Sequence, residues 1–203
     1  MSHDEKFPAL TEYLAGIPDG LESYPNCLAK ASLYRGMVAD RPLLQPVLAE
    51  LPAPLRVLIE HPVPVSSWLP EVHSHALMLA VYDVHFGDLN AFTTWAYEQQ
   101  RALFTGPLYS VAMRLVSPSL LFKTATVRFS MFHRGARLVI VERRDNGGTA
   151  RLEYPPGLYD SISRAGLCSG LTAALDLTIA GRASVEIVDS GDTYALVDAH
   201  WER

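Results

Sequence analysis

Residues 136–154, ARLVIVERRDNGGTARLEY, and residues 182–201, RASVEIVDSGDTYALVDAHW, decide the fold. Each is a pair of runs in which apolar side chains recur at every second position, folded about a short turn of Asn, Asp, Ser and Gly. The expected strands are Ala136–Arg144, Thr149–Tyr154, Arg182–Asp189 and Thr193–Trp201, with Asp145-Asn146-Gly147-Gly148 and Ser190-Gly191-Asp192 as hairpin turns. Ala136, Leu138 and Ile140 alternate with Arg137, Val139 and Val141, so the first strand reads as buried on both faces as far as Glu142. Between the hairpins, Pro155-Pro156-Gly157 redirects the chain into a helix over Leu158–Ala180, capped by Gly181. Its Gly166, Ser169, Gly170, Ala173 and Ala174 form a surface of small residues, read as packing closely on the sheet. The order is ββαββ.

Upstream of these segments the pattern is helical. Met1–Pro25 is polar with scattered Gly and Pro, an arm with a short helix near Leu10–Ala15 that covers the core. Cys27–Ala39 and Pro46–Glu60 carry apolar residues at helical spacing, the latter divided into two short helices by Pro52 and Pro54. Ser66-Ser67-Trp68-Leu69-Pro70-Glu71 reads as a capped helix start, with proline in the first turn and the helix running to about His85. Gly87-Asp88 ends it and caps Leu89–Thr105. Leu108–Val116 and Pro118–Phe132 follow as further helices, the second opened by Ser117-Pro118. The fold class is therefore α+β, with the helical N-terminal two thirds packed on a C-terminal four-stranded antiparallel sheet of ββαββ order. Residues 1–203 read as one domain: an arm over 1–25, a helical part over 26–134 and the ββαββ part over 135–203.

Composition narrows the function classes. A chain of 203 residues buries roughly 70% of its unfolded surface, enough for a core without staples. The net charge of −5 offers no field for polyanions, so nucleic acid is not an expected partner. Cys27 and Cys168 are too few and too far apart for a disulfide framework or a metal motif, which fits a reducing cytoplasm. The N-terminus is charged from its start, and no run approaches about eighteen uninterrupted apolar residues, so neither export nor a membrane span is expected.

Four features, Trp68-Leu69-Pro70 with Ala80-Val81-Tyr82-Asp83, the Arg114–Pro118 turn, the Phe129–Gly135 approach to the sheet and the terminal ββαββ unit ending in Trp201, carry a resemblance. Over about Leu55–Trp201 the chain resembles an uncharacterised protein family restricted to myxobacteria. More distantly it is similar to the superfamily joining vinyl-reductase-like sensor domains, TRAPP trafficking subunits and haem nitric-oxide-binding domains. The resemblance implies a pocket between helices and sheet for a small apolar molecule, an acyl chain or a haem, serving regulation or assembly. Haem members use a Tyr-x-Ser-x-Arg signature, whereas this chain has Tyr109-Ser110-Val111-Ala112-Met113-Arg114. Zinc-carrying members use a cysteine cluster, whereas Cys168 stands alone. Neither cofactor is expected.

Catalytic and metal chemistry find little support in the spacing. His73, His75, Asp83, His85 and Asp88 lie close in sequence, but His73 and His75 point to different helix faces, and His75 and Asp83 are roughly 12 Å apart along the axis. They read as solvated or capping histidines, and the i, i+4 pair Glu71 and His75 as a surface contact. Gly166-Leu167-Cys168-Ser169-Gly170 lacks the Gly-x-Ser-x-Gly of a nucleophile elbow and falls within a helix. What remains is an aromatic set on adjacent helices, Trp95, Phe104, Tyr109, Phe122, Phe129 and Phe132, which forms either packed core or the wall of an apolar pocket. Arg114 and Arg128 are the groups placed to orient an acidic ligand head there.

Two readings follow. In the first the chain is a non-enzymatic sensory or regulatory protein whose pocket binds a small apolar or acyl ligand through Trp95, Phe104, Tyr109, Arg114, Phe122, Arg128 and Phe129. In the second it is a ligand-free interaction protein, a homodimer formed through an edge strand.

Overall fold

The structure, a computed structural model, describes residues 6–106, 116–178 and 182–202. The expected helix over Leu108–Val116, with Tyr109 and Arg114, and the cap at Gly181 lie outside the described residues, apart from Val116 itself. In chain order the elements begin with α1 (Pro8–Ala15), β1 (Leu28–Lys30), α2 (Ala31–Asp40), α3 (Val47–Glu50), α4 (Ala53–Glu60) and β2 (Trp68–Pro70). There follow α5 (Glu71–His85), α6 (Leu89–Thr105), α7 (Pro118–Lys123), α8 (Ala125–Ser130) and β3 (His133–Arg134). The last are β4 (Arg137–Arg144), β5 (Gly147–Glu153), α9 (Ser161–Asp176), β6 (Ala183–Gly191) and β7 (Tyr194–Trp201).

The fold class is α+β. Strands β4 to β7 form one antiparallel sheet of order β4-β5-β7-β6. Leu138, Ala150, Leu152, Ala195, Val197, Ala199 and Trp201 are buried, facing the helices. The helices cover one face of this antiparallel sheet, so the other face of β4 meets solvent. Val139 and Val141 are 40% and 60% exposed, which corrects the expectation of burial on both sides.

The first hairpin turns on Asp145-Asn146, and Gly147 and Gly148 belong to β5. Neither takes a positive φ. Close approach requires them instead: a Cβ on Gly148 would lie 2.5 Å from Phe122 Cε1, and one on Gly147 2.5 Å from Ala199 O.

Several helix boundaries move for local reasons. Trp68–Pro70, expected inside a helix, is a strand paired with Leu28–Lys30, and Pro70 precedes the first turn of α5. Pro118–Phe132 divides at Thr124, whose Oγ1 donates to the Leu120 and Leu121 carbonyls and draws the backbone out of helical geometry. The helix expected over Leu158–Ala180 is α9, capped by the Asp160 carboxylate on Ser163 N. α9 packs on β6, while the two glycines of its small-residue surface face α6 and α5. A Cβ on Gly170 would meet Gln100 Cγ at 3.3 Å, and one on Gly166 would meet Phe92 Cε1 at 3.4 Å.

The N-terminal arm is part of the core, with Phe7 and Leu10 fully buried. Asp83 of α5 caps it from a distance, accepting the backbone N–H of Ala9 and Leu10 at 3.1 and 3.0 Å. No helix among the described residues is long and apolar enough to cross a membrane.

Candidate functional site

A second, much smaller sheet places the polar residues. β1 is its middle strand: Ala29 pairs with Leu69 of β2 on one side and with His133 of β3 on the other. The chain leaves β2 into α5, and Glu71 N donates to Cys27 O at 2.9 Å. Glu71 and His133 are thereby set on either side of one three-residue strand.

Glu71 is fully buried. Its Oε1 accepts from His133 Nδ1 at 2.6 Å and from the Tyr159 hydroxyl. One helical turn on, His75 brings Nε2 to 3.9 Å from the same oxygen, while its Nδ1 lies 2.8 Å from the Leu158 carbonyl. The His75 ring meets Tyr159 edge-on at 4.5 Å, and His133 stacks on Phe129 at 4.2 Å with the planes 11° apart. Burial alone would raise the Glu71 carboxyl. The His133 ring and its hydrogen bond, with His75 and the Tyr159 hydroxyl, outweigh that and hold the carboxyl below its ordinary value. Burial lowers His75, and burial together with the Glu71 charge pushes Tyr159 well above the usual phenol range. The cluster is therefore an ionised carboxylate fixed by a tyrosine that keeps its proton.

This cluster borders a cavity of about 440 Å³ between the helices and the sheet. Its walls are mostly apolar, among them Met78 of α5, Phe92 of α6, Leu121 of α7, Leu171 of α9 and Val197 of β7. His75, His133 and Tyr159, gathered about Glu71, make a polar corner, with Ser163 four residues on from Tyr159 in the same lining; Gln99, Gln100 and Arg128 are further polar lining residues, and Asp and Glu are absent from the described lining.

Of the aromatic set and the two arginines singled out in the sequence, Trp95, Phe104, Phe122, Arg128, Phe129 and Phe132 line this one cavity. Tyr109 and Arg114 lie outside the described residues. Arg128 is half-buried and holds Thr124 Oγ1 through Nε at 2.9 Å.

The histidine reading needs correction. Glu71 and His75 are a buried pair, because α5 is enclosed nearly all round from Glu71 to Val81, and an acid on such a helix has no route to water. His85 is exposed, as expected. Sequence spacing found Glu71 but read it as a surface contact, and it did not single out His133, Tyr159 or Ser163 as site residues. The signal available was the apolar run Ala76–Val81 behind Glu71, which marks the helix as central.

Among the described residues no group of three or more His, Cys, Asp and Glu side chains is placed to hold a metal ion. Burial pushes the Cys168 thiol up to about 12, so it is not a nucleophile at neutral pH. Comparison of the chain with protein-family models, curated proteins and solved structures found no match.

Proposed function

We propose that this protein is a non-enzymatic sensory or regulatory binder of a small apolar or acyl molecule, held between its helices and its sheet. The observation that carries this reading is the cavity of about 440 Å³, apolar over most of its wall and polar at one corner. Ligand sites have this anatomy: roughly 300–1,000 Å³ of largely apolar space with a few convergent polar groups that fix orientation. The pattern resemblance to vinyl-reductase-like sensor domains supports the same reading. So do the buried, raised Cys168 thiol and the tyrosine-fixed Glu71 carboxylate, neither of them an activated group.

The test is native mass spectrometry of the purified chain, with the mass compared before and after denaturation. A bound molecule should add a discrete mass that denaturation removes. An unliganded native mass, together with failure of a neutral apolar dye such as Nile red to bind, would refute the reading. The alternative, a ligand-free homodimer, draws on the edge strands β4 and β6, whose Val141 and Val188 are 60% and 54% exposed. The same native spectrum reads it as a doubled mass.

A further inference from the structure

Hydrogen-bond accounting in the polar corner narrows the ligand. A carbonyl only accepts, so the proton of the His75 ring sits on Nδ1, facing Leu158 O at 2.8 Å. The ring is neutral in its buried setting, which leaves a lone pair on Nε2. That nitrogen makes no hydrogen bond among the described residues, and the Glu71 Oε1 that lies 3.9 Å from it is itself an acceptor. Tyr159 gives its only proton to Glu71, so its oxygen offers nothing but lone pairs. Ser163 Oγ, on a residue only 4% exposed, is buried without a partner, and Glu71 Oε2 is likewise unpartnered. His75, Tyr159 and Ser163 all line the cavity. The corner therefore offers several acceptors and one uncommitted proton, that of Ser163.

We propose that this corner seats a neutral hydroxyl group carried by an otherwise apolar molecule, the hydroxyl donating to His75 Nε2 and accepting from Ser163 Oγ–H. A hydroxyl supplies one proton to an open acceptor and takes the one uncommitted proton. A carboxylate brings only acceptors to a corner where His75 Nε2 and the Tyr159 oxygen are acceptors too. An ammonium must shed its hydration in an apolar cavity whose described lining holds no carboxylate to receive it. Unsatisfied buried polar groups are costly, so a ligand that satisfies both is favoured over one that satisfies neither.

The inference rests on the cavity being a binding site, and the experiment separates the two. Wild-type protein loaded with Nile red is titrated at about pH 7.5 with four probes of equal chain length: octanol, methyl octyl ether, octanoate and octylammonium. Octanol should displace the dye at roughly a tenth of the concentration needed by the other three, the scale of one buried hydrogen bond to a matched site. Ser163→Ala and His75→Phe should each cut that advantage to about threefold or less while leaving the ether midpoint in place. Melting curves check that both variants fold, and the wild-type series stands without them. If octanoate or octylammonium displaces as well as octanol, or the ether does, the hydroxyl assignment is wrong and the cavity reading survives. If Nile red does not bind and octanol gives no saturation-transfer signal, both fall.

Discussion

His133 Nδ1 lies 2.6 Å from Glu71 Oε1, a contact made across 62 residues of chain, and no water reaches the carboxylate that receives it. The pair joins the first turn of the central helix to the segment that enters the large sheet. With the Tyr159 hydroxyl on the same oxygen, one carboxylate ties together three stretches of sequence that have no local reason to meet.

Removing that carboxylate should be among the most damaging single changes. Glu71→Ala leaves two buried donors without an acceptor, and breaking a buried charged pair from one side costs about 3–5 kcal/mol. Glu71→Gln keeps an acceptor oxygen and should cost about 1–3 kcal/mol. Urea denaturation midpoints rank the two variants; equal midpoints for both and for the parent would show that the cluster contributes nothing to stability.

The chain should lose stability in mild acid. Burial lowers His75 from its ordinary value of 6.5, so the unfolded chain takes up a proton there that the folded chain refuses. Stability from this residue is complete above 6.5 and declines as pH falls below it. Half-buried His73 is lowered as well and adds in the same direction, and Glu71 extends the loss below 4.5. His75→Gln, uncharged at every pH, should flatten the decline between about pH 7.5 and 5.5. A midpoint that rises on acidification would reverse the sign and overturn the assignment of a neutral buried ring.

Filling the cavity should abolish binding without unfolding the chain. Gly166 lines it, and a Cβ there would make ordinary contact with Phe92 and Met78 at 3.4 and 3.6 Å. Gly166→Leu should therefore push its side chain into the cavity past Phe92 and Met78, with helix propensity offsetting about 1 kcal/mol of the crowding. Nile red affinity should drop about tenfold or more while the melting temperature stays within a few degrees. Undiminished dye binding in a folded variant would place the dye elsewhere.

Asp83 should be as important to α1 as a cap within the helix itself. It accepts from Ala9 and Leu10, so Asp83→Ala strips the first turn of its partners at a cost of about 1–2 kcal/mol. Limited proteolysis should then cut near Leu10–Ala15 sooner than in the parent, and an unchanged digestion pattern would remove the cap from the account.

The large sheet was legible because its signals are local: alternation of side chains and turn residues at short range fix strand and hairpin together. The aromatic lining was legible for a related reason. Trp95, Phe104, Phe122 and Phe129 are large apolar side chains on three helices close in sequence, and they line the same cavity. The Glu71 cluster was not legible, since His133 and Tyr159 lie 62 and 88 residues away and come together through a strand of three residues that no periodicity reveals. The small-residue face of α9 misled for a different reason. Gly166 and Gly170 announce that something comes close, but a stripe of glycine is equally suited to a helix or a sheet, and here it meets α6 and α5.

The middle strand Leu28–Lys30 gives the cavity a weak latch. Short ladders open far more readily than the sheet they accompany, and this one holds both Glu71 and His133 in place through its pairing with β2 and β3. Each brief opening of those few hydrogen bonds parts the acid from the imidazole and exposes the buried oxygen to water. The lifetime of the closed ladder would then set how long the Glu71 charge stays away from water. Amide exchange at Lys30 N and Glu71 N, bonded to Phe132 O and Cys27 O, is the clock on which that lifetime can be read.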